Sequence, residues 1–146
     1  MAKIIGIDPD LIKSGVALLD GLTVVELRSL NLPDLLRYVV PLAEAGATVK
    51  MEDPRVNKPT FARAKVSAAG MRRISQNVGQ VKAAAELIEL SLRDAGVSVI
   101  LCRPVVGYAK LTKRDAQLFN KITGWTGKSN EDTRDAAMIA MSGVPK

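Results

Sequence analysis

Ile4-Ile5-Gly6-Ile7-Asp8-Pro9-Asp10 decides how the rest of the chain is read. Four successive apolar or glycine positions predict a buried strand, and an acid at its far end is poorly placed to serve solubility alone. Pro9 and Asp10 turn the chain. Two more strands are expected at 15–19 and 24–30 about the Asp20-Gly21 turn, a hairpin signal, so the first three strands should be antiparallel in succession.

Outward from the hairpin, Asn31, Pro33 and Asp34 open a helix that carries Leu35, Leu36, Val39 and Leu42 and ends near Gly46. Residues 48–52 (Thr-Val-Lys-Met-Glu) predict a short fourth strand covered on both faces and ending in a second acid, Glu52. Residues 53–68 contain Pro54 and Pro59 and no periodicity, which predicts a basic loop. Ile74, Val78, Val81, Ala84, Ala85, Ile88 and Leu92 follow helical spacing, predicting a long helix over 69–94 that Gly96 closes. A fifth strand is expected at 97–101, then a helix capped by Thr112 and running through Asn120. In the loop Gly124-Trp125-Thr126-Gly127, Trp125 is expected to lie as a lid over the core. A last helix starts near Asn130, with Ala136, Ala137, Ile139 and Ala140 inward. The order β-β-β-α-β-α-β-α-α predicts one α/β domain over 1–146. Its sheet is five-stranded and mixed, three antiparallel strands then two parallel, flanked by helices.

Composition limits the chemistry. With 146 residues, 47% of them hydrophobic, the chain can bury a core, which excludes a disordered polymer. No apolar run approaches the roughly 18 residues needed to cross a bilayer, and no signal-peptide pattern is visible, so a cytoplasmic protein without a membrane partner is expected. The single cysteine, Cys102, precludes an internal disulfide and reads as a small apolar residue ending a strand. Histidine is absent, which removes Ser-His-Asp and Cys-His catalysis and most zinc sites. Hydrolysis would have to rest on carboxylates, lysines, hydroxyls or hard cations bound through oxygen.

The net charge of +6 hides a segregation. Residues 55–82 hold seven basic residues (Arg55, Lys58, Arg63, Lys65, Arg72, Arg73, Lys82) and no acid. Residues 103–128 hold six (Arg103, Lys110, Lys113, Arg114, Lys121, Lys128) against Asp115. The remainder is acidic, with fourteen acids and eight bases. A solvated face normally mixes signs, so two basic stretches favour a polyanion, nucleic acid above all, through counterion release. Arg72 and Arg73 are expected to grip nucleic-acid arms. Phe61 and Met71 read either as apolar wedges between bases or as loop residues folded onto the core.

The acids form their own pattern. Strands one and four should be parallel neighbours about 4.8 Å apart. That places Asp8 and Glu52 side by side in the crevice where open α/β sheets bind ligands. Asp132 and Asp135, three apart, share a helix face with Cβ atoms about 5–6 Å apart. Four converging carboxylates would repel one another, and two Mg²⁺ ions, replaceable by Mn²⁺, would relieve this and assist phosphodiester hydrolysis. Each acid also has a plainer reading. Asp8 would start a turn, Glu52 would be an exposed strand end, Asp132 would close a capping box with Ser129, and Asp135 would favour the helix dipole. Asp53 competes with Glu52 for the ligand role, and Glu131 with Asp132.

The stretches IIGIDPDLIKSGVALLD, TVKMED, SQNVGQVKAAAELIEL and NEDTRDAAMIA, taken in order along nearly the whole chain, resemble the motifs of the RuvC family of Holliday-junction resolvases. The last, with its Asp-x-x-Asp-Ala-x-x-Ile-Ala pattern, is the most specific. Asp10 stands where the family has glycine, and the basic loop after Glu52 has no clear counterpart. The chain's compactness and divergence resemble the bacteriophage-encoded branch. The resemblance implies an RNase H-like fold and a homodimeric crossover junction endodeoxyribonuclease that cuts branched DNA with two Mg²⁺ ions. It makes Asp8, Glu52, Asp132 and Asp135 the metal ligands. Lys113 would contact phosphate, with Lys110 and Arg114 beside it. Two other readings stay open: an RNA-processing nuclease of the related YqgF group, and a non-catalytic junction-binding protein.

Overall fold

The computed structural model describes residues 2–56 and 67–146. Three antiparallel strands come first: β1 (Lys3–Asp8), β2 (Ser14–Asp20) and β3 (Thr23–Leu30). α1 (Leu32–Glu44) leads to β4 (Thr48–Glu52), and after a short 3₁₀ turn at Pro54–Val56 comes the long α2 (Ala68–Asp94). β5 (Val99–Cys102), α3 (Tyr108–Leu111), α4 (Ala116–Thr123) and α5 (Glu131–Ser142) complete the chain. The strands lie in the order β3-β2-β1-β4-β5, antiparallel within β3-β2-β1 and parallel across β1-β4-β5. This is the mixed sheet that the sequence predicts.

Side-chain alternation divides the sheet into two faces. Ile5, Ile7, Val16, Leu18, Val49 and Met51 point to one side, where α1 (Leu35, Val39) and α2 (Ala85, Ile88, Leu92) cover them. Ala17, Leu19 and Val24 point to the other, against Phe119 of α4 and Ala136, Ala137 and Ala140 of α5, with Trp125 packed on the same cluster. α5 rests directly on the strands' backbone. A methyl group on Gly6 would overlap the Ala136 carbonyl and lie 2.9 Å from the Ala140 nitrogen. One on Gly15 would overlap the Asp132 carbonyl and lie 2.8 Å from the Thr133 nitrogen. Only glycine permits that approach.

The helix ends follow local chemistry. Asn31 caps α1 by accepting from the Asp34 amide at 3.0 Å, as its sequence suggests. Gly46 (φ +107) and Gly96 (φ +86) close α1 and α2 with paired reverse hydrogen bonds, Ala47 N to Leu42 O and Val97 N to Leu92 O. The second of these explains why β5 begins at Val99 rather than 97: the Val97 amide is consumed in closing α2. The helix expected from a Thr112 cap is also different. Thr112 lies buried at the C-terminal end of α3, its hydroxyl donating to Ala109 O at 2.7 Å, and the cap of α4 is Asp115, which accepts from Leu118 N. The Asp115 carboxylate accepts better at a helix start than a threonine whose hydroxyl is already committed. No helix among the described residues is long and apolar enough to cross a membrane.

Candidate active site

Alternation along β1 and β4 places Gly6 and Asp8, Lys50 and Glu52 on the face that carries α5. Ile7 pairs with Met51 across the parallel ladder, so Asp8 and Glu52 end their strands side by side. Their carboxyl groups lie close enough to hydrogen-bond when one is protonated. Because Gly15 lets the first turn of α5 lie against β2, Asp132 comes up beside Asp8. Asp135, one turn further on, is nearly buried and forms an ion pair with Lys113, Oδ2 to Nζ 3.0 Å. The Lys113 ammonium also acts electrostatically on Asp8, Glu52 and Asp132. All five residues therefore meet at the carboxyl end of the sheet.

The crowding shows in their protonation. Burial pushes the Asp8 carboxyl far above its ordinary value, and the hydrogen bond and charge of Glu52, then the charge of Asp135, push it further; Lys113 opposes them. The direction favours the protonated form of Asp8 while no cation is bound. Asp132 is also raised, mainly by burial, then by the charge of Asp10, while Lys113 and the hydrogen bond from Asp8 act against the rise. Burial would lower the Lys113 ammonium, but its pairing with Asp135 and the charges of Asp8 and Glu52 outweigh it and the net shift is upward.

The donor set suits a hard divalent cation. It is all oxygen, it is too crowded for every acid to ionise unaided, and the Asp135 Oδ1 atom is buried with no hydrogen-bonding partner in the protein. Among the described residues no three acids close into a single coordination shell, and the ammonium of Lys113 stands among them.

The structure separates the competing readings of these acids. Asp53 is fully buried outside the cluster, accepting from the Arg55 amide at 3.0 Å, from Arg55 Nε at 2.7 Å and from Lys146 Nζ. Burial would raise its carboxyl, but the Arg55 and Lys146 hydrogen bonds outweigh it and the net shift is downward. Glu131 is exposed. The capping box of α5 is formed by Asn130 and Thr133, not Ser129 and Asp132, which leaves Asp132 to the site.

The basic candidates are distributed more widely. Lys110 and Arg114 are exposed on either side of Lys113, and Arg72 and Arg73 are exposed near the start of α2. Arg55 is held between Asp53 and Glu89 (2.7 and 2.6 Å), and Glu89 also pairs with Arg93. Those pairs occupy the group expected to meet DNA. Lys58, Phe61, Arg63 and Lys65 lie outside the described residues, and Met71 is half-buried on α2. Sequence reasoning missed Arg134, which is nearly buried and tied by four hydrogen bonds to the loop that carries Lys113 and to Ser129. Its signal was available: a cation within a run buried on every side has to find partners.

No known family model matches the chain, and no curated protein sequence does either. Solved structures do. The chain is similar to Thermus thermophilus RuvC in complex with a Holliday junction substrate, with a TM-score of 0.57 and 18% identity over 97% of this chain and 91% of that one. It is also similar to the Thermus thermophilus RuvC structure, with a TM-score of 0.50 and 16% identity over 95% and 91% of the two chains. The fold is RNase H-like, of the form seen in RuvC.

Proposed function

We propose that this chain is a divalent-cation-dependent endonuclease that cuts branched DNA, four-way junctions foremost. The observation that carries the proposal is the convergence of Asp8, Glu52, Asp132 and Asp135 around Lys113, at one end of a RuvC-like fold and beside exposed basic residues. The Thermus relative of that fold is bound to a Holliday junction substrate, which supports the choice of DNA form.

In this reading Asp8, Glu52, Asp132 and Asp135 hold two Mg²⁺ ions, with Mn²⁺ able to replace them. Bound there, the cations supply Lewis-acid activation of water and of the scissile phosphate. The protein's own part is positional and electrostatic. Asp8, whose carboxyl burial and Glu52 push upward, would give up a proton on binding the cations. Lys113, half-exposed at the rim, offers an ammonium to a phosphate oxygen, and Lys110, Arg114, Arg72 and Arg73 neutralise flanking phosphates. A homodimer would present two such sites to a two-fold junction. Leu87 and Leu90, exposed on the part of α2 whose other side packs on the sheet, offer a surface for it. A cytoplasmic location goes with this activity.

A substrate panel tests the proposal: four-way, forked, flapped and linear DNA plus a structured RNA, each with Mg²⁺ and with chelator. Paired nicks in opposing strands of the four-way DNA, lost with chelator, are expected. Preferential cutting of the RNA would transfer the chain to RNA processing. Tight, salt-sensitive junction binding with no cutting would make it an architectural protein.

A further inference from the structure

Arg134 stands between the two acids that α5 contributes, yet its side chain touches neither of them in the hydrogen-bond network. It crosses to the segment after α3. Nε donates to Thr112 O and to Lys113 O, each at 3.0 Å, Nη2 donates to Lys113 O at 2.7 Å, and Nη1 donates to Ser129 Oγ at 2.9 Å. The carbonyls it takes are those that the end of a short helix leaves without intrahelical partners. A planar guanidinium can serve several such acceptors in one fixed orientation; an ammonium cannot. The segment is tightened further by Thr112, fully buried, with its hydroxyl on Ala109 O, and by the Lys113 amide on Lys110 O at 3.2 Å.

The consequence concerns Lys113. α3 is only four residues long and Lys113 follows it with an exposed neighbour on the far side, and the segment's own bonds, Thr112 to Ala109 and Lys113 to Lys110, tie it to itself and not to the acids. The anchor comes from the helix that also carries Asp132 and Asp135. We infer that Arg134 is a positioning residue: its guanidinium locks the backbone of Lys113 to α5, so that the Lys113 ammonium and the α5 carboxylates keep one fixed spacing. Thr112 and Ser129 complete the clamp, one from each side.

This inference rests on the nuclease reading and adds a residue to it. It makes a particular energetic claim. If Arg134 acts through Lys113, removing both should cost no more cleavage than removing Lys113 alone, because coupled residues are non-additive. If Arg134 merely supports the fold, the two losses should multiply.

The experiment is a double-mutant cycle on the full chain with Mg²⁺ and a four-way DNA substrate. It comprises wild type, Arg134→Gln, Lys113→Met and the double variant, with Arg134→Lys as a milder fifth protein should Arg134→Gln fail to fold. Thermal melting confirms which variants are folded, and gel-shift titration reads junction affinity separately. Arg134→Gln is expected to slow single-turnover cleavage about 10- to 100-fold with affinity changed less than about threefold. Arg134→Lys should fall between it and wild type, and the double variant should match Lys113→Met within about threefold. Multiplicative losses, or cleavage by a folded Arg134 variant at the wild-type rate, would overturn the inference and leave the nuclease reading intact. A wild-type protein that cuts no branched DNA would instead remove the reading on which it rests.

Discussion

The two faces of the sheet solve different problems with different residues. Toward α1 and α2 the strands offer Ile5, Ile7, Val16, Leu18, Val49 and Met51, and the helices answer with Leu35, Val39, Ile88 and Leu92. Toward α5 they offer Gly6, Asp8, Gly15, Ala17, Lys50 and Glu52, and the helix answers with Asp132, Asp135, Ala136 and Ala140. The first face is stabilised by bulk, each buried aliphatic side chain contributing about 1.5–3 kcal/mol. The second is made close by the absence of bulk, and that closeness brings three elements' carboxylates within hydrogen-bonding range. Bulk packing and the candidate site are thus divided between the two sides of one sheet.

The sharpest way to break this division is to neutralise one acid on the α5 face. Glu52→Gln or Asp135→Asn should reduce junction cleavage below detection while gel-shift affinity stays within a few-fold, since shape and backbone contacts are untouched. Wild-type cleavage by either variant would detach the acids from the activity. The opposite face should respond the other way. Leu92→Ala leaves a cavity in the core on that face and should cost about 2–5 kcal/mol in urea unfolding, yet cleave normally well below its melting temperature.

Glycines provide the next contrast. Gly15→Ala, forced against the Asp132 carbonyl, should destabilise by about 1–3 kcal/mol and also slow cleavage by levering α5 off its seat. Gly46→Ala, with a strained φ of +107 but open space around it, should cost about 1 kcal/mol and leave cleavage alone. Equal effects of the two on cleavage would contradict the close-approach account.

A pH series separates the faces further. Asp8 and Asp132 are raised in the folded chain, so without divalent cations the fold holds their protons more tightly than the unfolded chain does. Their contribution to stability is complete below the ordinary value of 3.8 and is lost as pH rises toward the raised values. Asp8→Asn, which keeps the shape and cannot ionise, should therefore be roughly 1–3 kcal/mol more stable than wild type near pH 8 and nearly equal to it near pH 4. A difference independent of pH would remove the crowding argument. The smallest effect belongs to the exposed surface: Arg73→Ala should weaken junction binding a few-fold and lower the slope of log affinity against log salt by about one.

The architecture was legible where backbone and pattern agree. The hairpin, the β4 run ending in Glu52 and the glycine closures of α1 and α2 each carry a local signal strong enough to survive tertiary packing. The placing of Asp8 and Glu52 followed from parallel pairing and alternation. What escaped was decided by partners distant in sequence. Asp132 reads locally as a capping residue, and only the Asn130–Thr133 box frees it. Arg55 reads as a free cation until Glu89, 34 residues away, claims it. The role of Arg134 depends on carbonyls 21 and 22 residues earlier, which no periodicity reveals.

The central claim is that these acids form a cation site poised by a shared proton. Calorimetric titration of the wild-type protein with Mn²⁺ at pH 7.5, repeated in buffers of different ionisation enthalpy, tests it most directly. The account predicts saturable binding whose heat changes with the buffer because a proton leaves Asp8 as the cation enters, and a marked loss of that binding in Asp135→Asn. Absence of saturable binding, or undiminished binding in that variant, would contradict it.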